Sequence, residues 1–327
     1  NDHLIKNGYG KFILRDILSN YLNKKIAWSR NKVGFFTDIK NIFDIKDKNF
    51  KKLLFQSKKI NSLVNRIKKD FTLIAHRGAS YDAPENTFEA FDLALEMGFD
   101  NVETDVQLSS DGRSVLIHDE SLNRTTGIQG LVAETSIAKI KSLNAGLWFE
   151  GPDDGAGSTG PLGYPDAFVP TLDEFLERYA KKIHVHLELK STQPELPVKV
   201  MESLKNWDFL DQHTGDYVSP GLTISSFHVD QLERSISLMP EIAHGWLLQK
   251  INKSSLRVAF DLGLAGIYPN AMKVTKHQID HANESGLSVR TWGIGNSVQA
   301  LKRAYRSGAT GTTVDWPIKA HKMLASI

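Results

Sequence analysis

The sequence has no cysteine, which excludes disulfides, thiol nucleophiles and thiolate metal sites. It has no run of ~20 apolar residues, the length a helix needs to cross the hydrocarbon core of a bilayer. No stretch has the layout of a secretory signal; the chain begins at Asn1, and what precedes that residue stays open. A Gly-rich phosphate loop is missing too, which argues against a nucleotide-binding, doubly wound open sheet. No nucleic-acid recognition motif is present. A soluble protein is expected, in the cytoplasm rather than the periplasm or outside the cell, with its chemistry carried by carboxylates, imidazoles and cations.

Charge is present but unevenly placed. The formal net charge of +2 divides into a basic segment and an acidic remainder. Residues 1–70 hold 17 Lys and Arg against 6 Asp and Glu, a net +11; the rest holds 23 against 32, a net −9. Such an arm is a solvated helical extension, docks on its own acidic body, or contacts an anionic membrane surface. Its apolar residues Phe12, Ile13, Ile17, Leu18 and Leu22 fit one face of a helix, and Leu53, Leu54, Ile60, Leu63, Val64 and Ile67 fit a second. A mainly helical N-terminal extension over 1–70 is therefore expected.

From Phe71 the pattern changes to strands and helices in alternation. Strands are expected at Thr72–His76, Val102–Leu108, His184–Lys190, Leu222–Phe227, Ile242–Leu248, Gly266–Pro269, Leu287–Trp292 and Thr312–Trp316. Helical stretches fall between them, with a last one after Pro317. Eight such units in a domain over 71–327 predict a (β/α)8 TIM barrel, which takes roughly 250 residues. Asp111-Gly112 marks a tight turn between two strands, predicting a hairpin that returns His118 to Asp105. Gly151–Gly163 reads as a loop over the barrel mouth.

The residues with chemical potential lie at predicted strand ends, where α/β barrels place their sites. His76 ends the first strand. Glu103 and Asp105 share the inward face of the second, since residues two apart on a strand point the same way. Two inward carboxylates repel each other, so a buried pair wants a cation. Glu188 is on the inward face of the third strand and can supply a third oxygen. His184 and His186 share that face but lie deeper, and are read as core. Glu85 and Asn86 read as a helix entry with Asn86 as N-cap, and the pair either positions the backbone or takes a direct part in the site. Arg124 either contacts substrate or pins its loop, and Trp292 either lines a pocket at the rim or packs in the core.

The runs HRGAS from His76, APENT from Ala83, ETDVQLSSDG from Glu103, LIHDESLNRTT from Leu116, VPTLDEF from Val169 and LELK from Leu187 resemble, in wording and order, the glycerophosphodiester phosphodiesterase family. The resemblance spans about 71–327. It implies metal-dependent hydrolysis of a small-molecule glycerophosphodiester to sn-glycerol 3-phosphate and an alcohol. It also implies His76 and His118 as acid–base residues, Glu103, Asp105 and Glu188 as metal ligands, and Arg77 and Lys190 at the phosphate. Physical chemistry agrees: an anionic diester needs its charge neutralised, a proton acceptor for the attacking oxygen and a donor for the leaving one. Hard carboxylate oxygens select Mg²⁺ or Ca²⁺, and the planar fork of Arg77 suits two phosphate oxygens. Lysophospholipase D or sphingomyelinase D-like cleavage at a membrane surface is the alternative within this chemistry. A non-catalytic phosphate-binding barrel is the alternative outside it.

Overall fold

The structure, a computed structural model, describes residues 5–6, 9–10, 71–151, 163–209, 213–214 and 217–326. The chain divides into two compact units, 1–69 and 70–327. In the first, Ile5–Lys6 and Tyr9–Gly10 pair antiparallel. The two helical faces expected between Phe12 and Ile67 lie outside the described residues, as does the expected mouth loop between 152 and 162.

The second unit is a (β/α)8 barrel. Its strands are Thr72–His76, Asn101–Leu108, His184–Leu189, Gly221–Ser226, Ala243–Leu248, Gly266–Pro269, Arg290–Thr291 and Gly311–Val314. Each pairs in parallel with its sequence neighbour from the first to the sixth, and the eighth lies between the first and the seventh. Parallel bridges Gly266–Ser288 and Asn270–Trp292 close the ring between the sixth and seventh. The seventh strand is shorter than the expected Leu287–Trp292 because its bonding is shared. Arg290 and Thr291 pair with the eighth strand, while Ser288 and Trp292 pair with the sixth.

Side-chain parity sorts the barrel into an apolar outside and a polar inside. Val102, Val106, Val185, Leu187, Leu222 and Ile224 face outward and pack with Phe91, Leu172, Phe175 and Tyr179 of the helical layer. Inward, the register sets Glu103 beside His186 and Thr223, and Asp105 beside Glu188 and Ser225. The helices begin on polar caps: Thr87 before Phe88–Glu96, Thr171 before Leu172–Tyr179, Asn252 before Lys253–Asp261 and Thr275 before Lys276–Glu284. The last three have reciprocal capping boxes, satisfying otherwise unbonded N–H groups.

The second strand does not lead straight to its helix. It turns at Asp111-Gly112 into Ser114–Leu116, antiparallel to it in the expected hairpin. The excursion is held by its own small core of Val115, Ile117, Leu122, Val132, Ile140 and Val169. That core fixes the chain that carries His118.

His244 is on the outward face of the fifth strand, 3% exposed. Its Nδ1 donates to the Ile242 carbonyl at 2.8 Å and its Nε2 accepts from Ser235 Oγ at 2.8 Å. Burial pushes its pKa down from the ordinary 6.5 to about 4. The unfolded chain therefore takes up a proton near pH 6.5 that the folded chain refuses until about pH 4, so stability falls as the pH drops through that window. Between pH 7 and pH 5 the His244 contribution should amount to about 2 kcal/mol. Urea denaturation at the two pH values should show a smaller acid loss by that amount in His244→Gln; an equal loss in both proteins would contradict the assignment.

Candidate active site

His76 is the last residue of the first strand, and the two residues after it bend the chain sharply across the barrel mouth. Arg77 and Gly78 have φ of +57° and +84°. A Cβ at Gly78 would lie 2.6 Å from the Ala90 carbonyl carbon, so the first helix packs where only glycine leaves room. The bend aims the Arg77 amide at Glu103, with N to Oε2 at 3.2 Å.

Glu103, Asp105 and Glu188 converge from the second and third strands, each offering an oxygen within 4.8 Å of the others. All three are buried. Burial, with the charges of Asp105 and Glu188, pushes the Glu103 carboxyl up to about 7. Burial acts the same way on Asp105, but the nearby cations Arg77 and Lys190 outweigh it and hold that carboxyl well below its usual range. Arg77 Nε lies 3.2 Å from Asp105 Oδ2. Lys190 Nζ donates to Glu188 Oε1 at 2.8 Å and lies 3.6 Å from Asp105 Oδ1. Asp105 Oδ1 is buried with no hydrogen-bond donor among the described residues.

Asn86 is not the helix N-cap. Thr87 takes that role, accepting from the Ala90 amide, while Asn86 has φ +56° and points into the barrel wall. Its Nδ2 donates to Asp105 Oδ2 at 3.0 Å and its Oδ1 accepts from Thr104 at 2.8 Å. Asn86 thus braces a carboxylate of the cluster instead of starting the helix.

His118 returns to this cluster by the hairpin, with the Ile117 amide donating to the Asp105 carbonyl at 3.1 Å. Gln107, inward like Glu103 and Asp105, turns its amide nitrogen to the carbonyls of Ile117, His118 and Asp119 at 3.0, 3.0 and 2.8 Å. The two imidazoles are held alike. His118 Nδ1 donates to Asp119 Oδ1 at 2.6 Å, and His76 Nδ1 donates to Asp315 Oδ1 at 2.5 Å. With Nδ1–H fixed by a carboxylate, each ring presents Nε2 for proton transfer; that of His76 lies 3.8 Å from Glu103 Oε2. Their affinities for protons differ. Burial and Arg77 pull His76 down, but Glu103 and Asp315 outweigh them and its pKa is raised. For His118 burial prevails, helped by Arg77 and Lys190, and its pKa is lowered.

Two half-buried imidazoles, three converging carboxylates and two cations thus meet at the C-terminal mouth of one barrel. A model of the glycerophosphoryl diester phosphodiesterase family matches residues 76–319. The chain belongs to the glycerophosphoryl diester phosphodiesterase family. It is 30% identical over 257 residues to a glycerophosphodiester phosphodiesterase of Bacillus subtilis (strain 168), covering 76% of this chain and 85% of that one. Its fold matches an Oleispira antarctica phosphodiesterase solved in complex with the product sn-glycerol-3-phosphate, at a TM-score of 0.67 and 31% identity, covering 78% of this chain and 96% of that one. A glycerophosphodiester phosphodiesterase from Agrobacterium tumefaciens str. C58 gives 0.60 and 28%, covering 79% and 100%.

The run Asp315-Trp316-Pro317 is a later echo of this family in the sequence, and the fold gives Asp315 a partner that the sequence left unassigned. Asp315, which holds His76, comes from the end of the eighth strand, 239 residues away. Its signal was the Asp-Trp-Pro run at a strand end, adjacent to the first strand only once the barrel closes. Trp292 is at the rim, its Nε1 donating to Tyr268 O at 3.0 Å and directed at Leu248 O at 3.3 Å, with its ring edge-on to Phe227 at 5.1 Å. His184 and His186 are core residues, fully buried and bonded to Thr223 and Asn101.

Asp315→Asn should lower turnover by ~10–100-fold while leaving the melting temperature close to that of the parent. Steady-state kinetics beside a melting curve checks this; undiminished turnover would free His76 of its dependence on that carboxylate.

Proposed function

We propose that this member of the family hydrolyses glycerophosphodiesters to sn-glycerol 3-phosphate and the free alcohol, with His76 and His118 moving the protons. The observation that carries the reading is the placement of two carboxylate-held imidazoles around one buried three-carboxylate cluster. Asp105 feels the charge of both.

The cluster fits a divalent cation. Its candidate ligands are hard oxygens, one of them without a donor among the described residues, and burial together with their mutual repulsion raises Glu103. Glu103, Asp105 and Glu188 would hold Mg²⁺ or Ca²⁺, with the choice between them open to the oxygen-only donor set. When bound, the cation would neutralise phosphate charge and ease attack at phosphorus.

The remaining work falls to the chain's own residues. Arg77 and Lys190, both at the cluster, supply the cations for the non-bridging phosphate oxygens. One imidazole accepts the proton of the attacking oxygen, which comes from water or from the substrate's own neighbouring hydroxyl. The other gives a proton to the departing alcohol oxygen as its bond to phosphorus breaks. Where the hydroxyl attacks, a cyclic phosphate forms and water then opens it by the same exchange in reverse. Trp292 and Phe227 offer an apolar wall beside Lys190, whose Nζ lies 5.8 Å from the Phe227 ring.

A second reading, cleavage of a lysophospholipid, is favoured by exposed apolar side chains on loops that follow the C-terminal strand ends: Ile128, Leu131, Leu147, Phe227 and Met272. The basic segment 1–70, at +11 against −9 for the rest, would suit contact with anionic lipid. Among the described residues no helix is long and apolar enough to cross a membrane.

His76→Ala and His118→Ala should each cut turnover of glycerophosphocholine by ~10²–10⁴-fold; parental rates in either variant would remove that imidazole from the chemistry. Chelation should abolish hydrolysis, and Mg²⁺ or Ca²⁺ should restore it; activity surviving exhaustive chelation excludes the cation. Choline release from glycerophosphocholine should exceed that from lysophosphatidylcholine, and the reverse order would favour the lipid reading.

A further inference from the structure

Two segments that the proposed chemistry needs, the bend carrying Arg77 and the loop carrying His118, are joined by one run of charge-assisted hydrogen bonds. Arg77 Nη1 donates to Glu85 Oε1 at 2.8 Å. The Glu85 side chain, 11% exposed, also accepts from a second guanidinium. Arg124 Nη1 donates to its Oε2 at 2.8 Å and Nη2 to its Oε1 at 2.7 Å. The other edge of Arg124 faces Asp119, with Nε to Oδ2 at 2.6 Å and Nη2 to Oδ1 at 3.1 Å. Asp119 Oδ1 then takes the Nδ1–H of His118 at 2.6 Å. The guanidinium also lies 5.7 Å from the centre of the Trp148 ring.

This arrangement suits placement better than stability. Arg124 is 42% exposed, and an exposed ion pair contributes little to stability. Its geometry, however, is demanding. A carboxylate on each of two edges requires a rigid planar fork, which lysine cannot offer. In reactions of this kind a 1 Å displacement of a reacting group can lower the rate by ~10²-fold.

We propose that Glu85 and Arg124 are positioning residues that set the phosphate-binding guanidinium of Arg77 and the imidazole of His118 in one frame. Glu85 fixes the Arg77 end, and Arg124 fixes the His118 end through Asp119. The proposal rests on the roles given to Arg77 and His118 above and adds the device that keeps their separation constant.

A double-mutant cycle tests it, with turnover of glycerophosphocholine followed at enzyme concentrations that resolve residual rates. Arg124→Gln should lower kcat by ~10–100-fold in the parental enzyme. In the His118→Ala background it should lower the residual rate by less than about twofold, because its effect passes through the missing ring. Proportional losses in both backgrounds, or no loss in the parent, overturn the proposal. Should Arg124→Gln melt far below the parent, Asp119→Asn takes its place in the cycle with the same expectation. Glu85→Gln should raise KM several-fold through the loosened Arg77, and an unchanged KM removes Glu85 from the scheme. Full turnover in His118→Ala would overturn the acid–base reading itself, and the proposal with it, a result distinct from the others.

Discussion

The organising constraint in this molecule is the burial of three carboxylates inside one ring of parallel strands. Glu103, Asp105 and Glu188 are 2%, 0% and 7% exposed, and like charges at that depth repel strongly because the surrounding dielectric is low. The chain answers with cations brought from outside the cluster. Arg77 arrives from the bend after the first strand and Lys190 from the end of the third. Asp105, braced also by Asn86, is kept ionised, while Glu103 is left with a raised proton affinity. The asymmetry between two carboxylates two residues apart follows from which of them the cations reach.

Around that cluster the barrel supplies two imidazoles by different routes. His76 is part of a strand and is held by Asp315 from the adjoining eighth strand, so its position depends on ring closure. His118 lies on an excursion with its own apolar core and is held by its sequence neighbour Asp119. One is tied to the frame of the domain and the other to a local unit. This explains why a salt-bridged link between the two frames has something to coordinate.

The fold and the convergence of the main carboxylates were readable from the chain for definite reasons. Parity on a strand placed Glu103 and Asp105 on one face, and the Asp-Gly turn foretold the hairpin that returns His118. Alternation of strand and helix gave the barrel class. Other features were not readable. Asn86 looked like a helix cap because Asn is favoured there, but its backbone is left-handed and its side chain turns to Asp105. Gln107 had the right parity, yet nothing local said that its amide would face three carbonyls of a loop ten residues on.

What the sequence determined by itself is what short-range rules control: which side chains share a strand face, where the backbone turns, and which chemical groups are available. Hydrophobic periodicity and turn chemistry act over a few residues and leave their mark in the order of letters. What only the tertiary structure decided is which distant groups meet. Asp315 comes to His76 across 239 residues because parallel strands closed into a ring, and Glu85 comes to Arg124 because a helix start and a loop share one mouth. Such encounters depend on register and closure, properties of the whole sheet that no single stretch of chain encodes.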